Sequence, residues 1–196
     1  MKLILMTTPY FFVEEHHILS ALFDEGLDML HLRKPGTDAA YSERLLRLLP
    51  ENCRRNTVTH DHFHLKGEYG LRGIHLNQRN PELPRRYRGQ TSCTCYTPEE
   101  AEKRRQQVDY VLLSGFFQED TSLPEPRMCE LARQGFFDKK TYAQGNIGVE
   151  QALRLKDLGV QGAVVFGDLW NRLNIFSDPD FNDLIAHFRR LRKAFE

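Results

Sequence analysis

The feature that most constrains the fold is an alternation of short apolar runs with longer amphipathic stretches. "KLILMTT" (2–8) is followed by "VEEHHILSALFDEG" (13–26), and "MLHLR" (29–33) is followed by "TDAAYSERLLRLLP" (37–50). Short apolar runs bounded by turn residues predict buried strands, whereas apolar residues spaced by three and four predict helices. Because strands that alternate with helices pair in parallel, the pattern indicates an α/β protein.

The rest of the chain continues this pattern. The further predicted strands are "TVTH" (57–60), "GIHL" (73–76), "TSCTC" (91–95), "DYVLLSG" (109–115), "KTYAQG" (140–145) and "GAVVFG" (162–167). The further predicted helices are 97–107, 124–135, 149–159 and a last one near 180–194. Thr97 is the expected N-cap of the first of these, with Pro98 in its first turn. Eight such units in a closed ring make a TIM barrel, and fewer would make an open doubly wound sheet. We predict a small single-domain (β/α)8 TIM barrel over residues 1–196.

The charge balance and the lengths of the apolar runs bear on the class of partner and on localisation. Lysine plus arginine equals aspartate plus glutamate at 27 each, and a nucleic-acid binder usually carries a basic excess. No apolar run approaches the roughly 20 residues of a membrane span. The start "MKLILMTTPY" has too short an apolar core for a signal peptide. We therefore expect a cytoplasmic protein that binds neither nucleic acid nor membrane.

Cysteines and histidines offer only weak metal signals. Cys93 and Cys95 form a C-x-C pair without a partner pair, and on a strand they would share one face as core thiols. His60, His62 and His64 would share a face only if the strand continued, but the sequence that follows them looks helical. We therefore expect ordinary polar and core roles for these groups rather than a zinc site.

In parallel α/β folds, ligands bind at the carboxyl ends of the strands, and polar residues cluster there in this sequence. The run "MLHLRKPG" ends in His31, Arg33 and Lys34, which predicts an anion site at the mouth, although a satisfied core histidine is an alternative for His31. Gly145 and Gly167 follow two strands at helix starts, where glycine and free N–H groups suit a phosphate; ordinary turn glycines are an equal alternative.

The order of the motifs resembles that of a known family. In sequence these motifs are "LHLRKPG", "VTHDHFHLKGEYGLRGIHLNQ", "TSCTCYTPEEA", "DYVLLSGFF" and "AQGNIGVEQALRLKDLGVQGAVV". Together they resemble the thiamine phosphate synthase family, which includes the thiazole tautomerases, over roughly residues 2–170. The resemblance implies a TIM barrel that joins a hydroxymethylpyrimidine diphosphate to a thiazole phosphate, releases pyrophosphate and uses Mg²⁺. These two small molecules are the expected partners, and a homo-oligomer is plausible.

On the diphosphate side, the resemblance implies catalytic roles for Arg33 and Lys34. Arg33 matches the family's arginine after strand two, while Lys34 lies one position before the usual lysine, where this chain has Pro35. A shift of one residue on an extended chain reverses the side-chain direction. Asp61 keeps the family's metal-binding aspartate, and Asn80 replaces a second one. Since an amide oxygen still coordinates Mg²⁺, the resemblance implies a weakened magnesium site.

The resemblance assigns substrate contacts to a further set of residues, namely His31, His60, Gln78, Thr94, Thr121, Gly145, Asn146 and Gly167. His31 stands where glutamine is usual, and His60 stands where asparagine is usual. Glu119 and Ser122 stand where threonine and lysine contact the substrate phosphates in the family. An added carboxylate near a phosphate is repulsive, so this loop departs most from the family pattern.

Three functions remain open from the sequence. The first is a thiamine phosphate synthase that has diverged at its diphosphate site. The second is a non-catalytic relative that binds a phosphate ligand. The third is another phosphate-binding barrel enzyme, with His31 or His60 as an acid–base group. Tautomerase activity is disfavoured, because Gly115 stands where that branch would carry a histidine.

Overall fold

The chain folds into a closed barrel of eight parallel strands, which confirms the predicted TIM-barrel class. The computed structural model describes residues 1–121, 123–173 and 181–196. The strands are β1 (Lys2–Met6), β2 (Met29–Leu32), β3 (Thr57–Thr59), β4 (Gly73–Leu76), β5 (Gln90–Cys95), β6 (Tyr110–Phe116), β7 (Thr141–Gly145) and β8 (Gly162–Val165). Each strand pairs with the next in parallel, and β8 returns to β1, so the carboxyl ends of all eight meet at one face.

The helices lie in the amphipathic stretches, and most of them are a few residues shorter than the sequence predicts. They are α1 (Glu15–Asp24), α2 (Ala39–Leu48), α3 (Glu51–Arg54), α4 (Leu65–Glu68), α5 (Pro98–Arg104), α6 (Glu125–Arg133), α7 (Val149–Asp157), α8 (Gly167–Trp170) and α9 (Asn182–Phe195). The expected cap of α5 is confirmed, since Thr97 Oγ1 accepts a hydrogen bond from Glu100 N at 3.2 Å. Among the described residues, no helix is long and apolar enough to cross a bilayer.

Two apolar cores lie on opposite sides of the sheet. The larger one packs the outward-facing strand residues against the helices, as Leu30 and Leu32 do. The smaller one fills the lower part of the barrel interior and consists of Ile4, Met6, Met29, Val58, Tyr110, Leu112, Tyr142 and Val164. Above it, the same inward face carries polar side chains, because residues two apart on a strand share a face. His31 thus follows Met29 toward the mouth.

Candidate functional site

A cavity of about 1080 Å³ opens at the carboxyl ends of the strands. Seven of the residues predicted to form the site line this cavity, namely Arg33, His60, Gln78, Thr94, Gly145, Asn146 and Gly167. The structure adds Gln118, Gln151 and Arg104. Gln118 lies two residues after β6, where the resemblance pointed to Thr121 instead, and the sequence did not indicate Gln151 and Arg104 because they lie on helices away from the strand ends. Seven of the twelve predicted site residues therefore meet at this cavity, whereas the predicted metal ligands Asp61 and Asn80 are not among the residues that line it.

Arg33 supplies positive charge to one wall of the cavity. Its backbone is held in place by Thr7, a buried residue just beyond β1: Arg33 N donates to Thr7 Oγ1 at 3.0 Å, and Thr7 Oγ1 lies 3.1 Å from Arg33 O. This pair of contacts fixes the chain as it leaves β2. The arginine side chain, which is partly exposed, then faces the cavity.

Lys34 points away from the cavity, which corrects the expectation that it reaches a diphosphate there. Its Nζ lies 2.5 Å from Glu15 Oε1 and 2.6 Å from Tyr10 O, and both charged side chains are almost fully buried. Burial raises the pKa of Glu15 to about 7 even though Lys34 opposes this, and burial lowers the pKa of Lys34. Lys34 thus ties α1 and the loop before it to the end of β2.

His31 and His60 meet inside the barrel together with His75. His31 Nδ1 lies 2.9 Å from His60 Nε2, and His31 Nε2 lies 2.7 Å from the Tyr110 hydroxyl. His60 and His75 line the floor of the cavity, while His31 lies beneath them with both ring nitrogens partnered. His31 is therefore a core histidine with its hydrogen bonds satisfied, which was the alternative prediction. It does not line the cavity, so the structure does not place it in contact with a substrate there.

Burial keeps these three imidazoles neutral. It lowers the pKa of His31, His60 and His75 well below the ordinary value, and the neighbouring histidines and arginines lower it further. The group considered from the sequence, His60 with His62 and His64, does not form. His62 instead lies outside the barrel interior, with its Nε2 2.9 Å from Thr37 O.

Asp61 and Asn80 lie together, as a shared metal site requires. Asn80 Nδ2 donates to Asp61 Oδ1 at 3.3 Å. Arg79 also binds Asp61 through both carboxylate oxygens, at 2.9 to 3.0 Å, and this arginine lines the cavity. One carboxylate and one amide oxygen are donors of the kind that Mg²⁺ prefers, so the residues fit the ion. Arg79 competes for the same carboxylate, and sequence reasoning overlooked this arginine.

The opposite wall is built from backbone around Gly145 and Gly148. A Cβ atom on Gly145 would lie 1.9 Å from Phe116 O, so only glycine fits where β7 leaves the sheet. Gly148 precedes α7, whose first-turn N–H groups have no partners within the helix and so attract anions. A Cβ on Gly148 would lie 2.9 Å from Asp168 Oδ1, so this carboxylate sits against the start of α7.

Asp168 is an acidic residue in the wall that was expected to cradle a phosphate. Its Oδ2 lies 2.5 Å from His187 Nε2 on α9, and its Oδ1 lies 3.8 Å from Arg172. Arg172 lies one turn further along the chain, whereas His187 comes from α9, near the end of the chain. Asp168 directly follows the strand predicted at 162–167, but the sequence gave no reason to expect its contact with α9.

The loop after β6 contributes Gln118 to the cavity rather than the predicted Thr121. The Thr121 Oγ1 accepts from Leu123 N at 3.0 Å and would lie 2.3 Å from a Cβ on Gly115, so it shapes the loop. Glu119 is exposed and is not among the residues that line the cavity. The cavity wall therefore lacks the carboxylate that was expected to repel a substrate phosphate. Ser122 lies outside the described residues.

Comparison with known proteins identifies the family. Residues 3–169 match the family model described as thiamine monophosphate synthase. The chain belongs to the thiamine monophosphate synthase family. This agrees with the resemblance inferred from the motifs.

One solved structure supports the same assignment, and two with lower identity share the fold. A thiamine phosphate pyrophosphorylase from Bacteroides thetaiotaomicron is 48% identical, with a TM-score of 0.94 over 99% of this chain and 97% of that one. A thiamine phosphate pyrophosphorylase from Pyrococcus furiosus is 16% identical, with a TM-score of 0.76 over 99% of this chain and 95% of that one. The tryptophan synthase subunit alpha from Legionella pneumophila is also 16% identical, with a TM-score of 0.68 over 99% and 92%, and shares the fold alone. No curated protein sequence gives a significant match.

Proposed function

We propose that the chain is a thiamine phosphate synthase that joins a hydroxymethylpyrimidine diphosphate to a thiazole phosphate. In this reaction the bond between the pyrimidine methylene carbon and the diphosphate oxygen breaks, and pyrophosphate leaves with the electron pair. The thiazole nitrogen then forms a new bond to the methylene carbon. The observation that carries the proposal is that seven residues at family site positions line one cavity in a chain of this family.

Different parts of the cavity suit different parts of the two substrates. Arg33 places a fixed cation beside the departing diphosphate, where it stabilises negative charge that grows as the bond breaks. The first-turn N–H groups of α7 suit the phosphate of the second substrate. The floor between them, formed by the buried His60 and His75, orients the two rings and limits the access of water to the cationic carbon.

Mg²⁺ would be held by Asp61 and the side-chain oxygen of Asn80, and it would neutralise charge on the diphosphate. Arg79 must release Asp61 for this to happen. The side chain of Arg79 is 43% exposed, whereas that of Asp61 is only 14% exposed and is bound through both oxygens. Mg²⁺ would therefore have to replace a partly buried, bidentate ion pair, and its own charge would compensate Asp61 in place of the arginine.

The test is formation of thiamine phosphate from both substrates, with and without Mg²⁺. We expect product that depends on Mg²⁺, a loss of about 100-fold or more in kcat/KM for Arg33→Ala, and loss of the Mg²⁺ response for Asp61→Ala. Arg55→Ala, which removes an exposed arginine that binds Glu51 on α3, is the matched control and should keep full activity. Product formation that is indifferent to Arg33→Ala would contradict the assignment.

A second candidate is a relative that binds a ligand without turnover. Three observations favour it: Lys34 is held by Glu15, Asp61 is held by Arg79, and Asp168 lies against the start of α7. Calorimetric binding of thiazole phosphate, together with no product under any Mg²⁺ concentration, would support this candidate over the synthase.

A further inference from the structure

Three buried imidazoles converge on the floor of the cavity from neighbouring strands. His31 lies in β2, His60 directly follows β3, and His75 lies in β4. One potential ligand atom from each lies within 4.8 Å of the other two. These residues are far apart in sequence and meet only because three consecutive strands of the barrel present them on the same inner face.

The surroundings of the cluster resemble the outer shell of a metal site. A histidine that binds a metal through one nitrogen usually donates its other N–H to a neighbour, which fixes the orientation of the ring. His31 Nε2 lies 2.7 Å from the Tyr110 hydroxyl. His75 has a hydroxyl on each nitrogen, Ser92 Oγ at 2.8 Å and Thr94 Oγ1 at 3.0 Å. Whichever nitrogen of His75 binds a metal, a hydroxyl remains for the other.

The protonation state of the cluster also suits a metal. Burial lowers the pKa of all three rings, so at neutral pH each carries the lone pair that a metal requires. Three imidazoles without a carboxylate form a donor set that favours Zn²⁺ and similar ions over Mg²⁺. The cluster therefore differs in chemistry from the Asp61 and Asn80 pair described above.

We propose that His31, His60 and His75 form a binding site for a divalent transition-metal ion of the Zn²⁺ type at the floor of the cavity. Two nitrogen ligands of tetrahedral zinc, each 2.0–2.1 Å from the ion, lie about 3.4 Å apart. The His31 and His60 nitrogens are 2.9 Å apart, so the pair opens by about 0.5 Å to admit the ion and gives up its mutual hydrogen bond. The fourth position faces the cavity, which His60 and His75 line.

Metal binding at this floor excludes any ligand that needs the same space. The consequence for activity, reversible inhibition by Zn²⁺ that excess Mg²⁺ does not relieve, rests on the proposed function. The binding itself does not rest on that function, so it is tested by a direct measurement.

The experiment is titration of the full chain, first treated with a chelator, with Co²⁺ as a spectroscopic substitute for Zn²⁺. We expect one Co²⁺ per chain, with the intense visible absorption of a tetrahedral nitrogen-rich site, and displacement by one equivalent of Zn²⁺. His31→Gln and His60→Asn introduce the residues usual in the family, so both variants should fold. Each should weaken binding by at least about 100-fold, and Tyr110→Phe should weaken it by about 10-fold.

The matched control is His64→Gln. His64 belongs to the other group of metal-type side chains found among the described residues, with Glu43 and Glu68 on the surface, and its replacement should leave the Co²⁺ spectrum unchanged. The proposal is overturned if the absorption persists in each of the two single variants His31→Gln and His60→Asn, or if it is lost in the His64→Gln variant. A near-ultraviolet thiolate band would also overturn it, because that band would assign the ion to the Cys93 and Cys95 pair.

Discussion

At the scale of single residues, the direction of a side chain decided roles that residue type alone did not. Arg33 and Lys34 are adjacent cations with the same sequence-based prediction, yet Arg33 lines the cavity and Lys34 is buried against Glu15. Alternation on an extended chain explains the difference. The Glu15 Oε2 atom has no hydrogen-bond partner, which leaves this buried carboxylate only partly compensated.

Removing only one member of this buried pair should be more harmful than removing both. We expect Lys34→Met to lower the free energy of unfolding by about 3–5 kcal/mol, because it leaves an uncompensated carboxylate in the core. Glu15→Gln combined with Lys34→Met should recover most of that loss. Urea denaturation of the two variants checks this, and a double variant as unstable as Lys34→Met would contradict it.

Glu15 should also give the protein a distinct pH dependence of stability. Its pKa is raised by burial from 4.5 to about 7, so between these pH values the folded protein keeps a proton that the unfolded chain releases. The contribution of Glu15 to stability is therefore fully present below pH 4.5 and is lost as the pH rises to about 7. The difference in unfolding free energy between the wild type and Glu15→Gln should change by on the order of 3 kcal/mol across this window. A difference that is flat with pH would rule this out.

At the scale of secondary-structure elements, the end of β7 shows how a close backbone approach builds the cavity wall. The register of β6 and β7 shifts between Ser114 and Phe116, and Asn146 N donates to Phe116 O at 3.0 Å. Glycine at 145 permits this approach because it has no Cβ. The sequence allowed two interpretations of Gly145, a glycine that contacts phosphate or an ordinary turn glycine. In the structure, the close approach of the Phe116 backbone requires glycine at this position.

Gly145→Ala should therefore disturb both stability and ligand binding. The added methyl group meets backbone rather than a flexible side chain, so we expect a loss of about 1–3 kcal/mol in unfolding free energy, with weaker phosphate binding. Gly67→Ala is the matched control, since it lies in α4 with nothing within 4 Å and should stabilise the chain by about 0.5–1 kcal/mol. Thermal denaturation and phosphate titration of both variants test the expectation, which fails if the two behave alike.

At the scale of the whole molecule, the last helix connects the ends of the chain to the cavity wall. Phe188, Leu191 and Phe195 of α9 are buried in the outer core, and Met1 N donates to Phe195 O at 2.7 Å. His187 on the same helix contacts Asp168 beside α7. The packing of α9 therefore stabilises the barrel and also brings His187 to Asp168 in the wall of the cavity.

Phe188→Ala should destabilise the entire barrel rather than the last helix alone. We expect a loss of about 3–5 kcal/mol, the cost of a large cavity in a core. Unfolding should remain one cooperative transition, so far-ultraviolet circular dichroism and Trp170 fluorescence should give the same midpoint. Leu153→Ala, at an exposed position of α7, is the control and should change little. Separate midpoints in Phe188→Ala would show that α9 unfolds independently.

The sequence by itself determined the alternation of strands and helices, the closed barrel and the edge at which the site lies. These follow from local periodicity, capping residues such as Thr97, and the rule that parallel strands place their carboxyl ends together. Motif order was also enough to find the family. Seven predicted residues meet in one cavity for the same reason, because strand ends are local features of a sequence.

Only the tertiary structure decided which polar groups meet. These groups are Lys34 with Glu15, Asp61 with Arg79, Asp168 with His187, and the cluster of His31, His60 and His75, whose members lie 15 to 44 positions apart in the sequence. Local periodicity fixes the face of a strand, but it does not fix the direction of a side chain beyond the strand end or the neighbour it finds across the barrel. Closure of the barrel sets those distances, and the chemistry of the site depends on them.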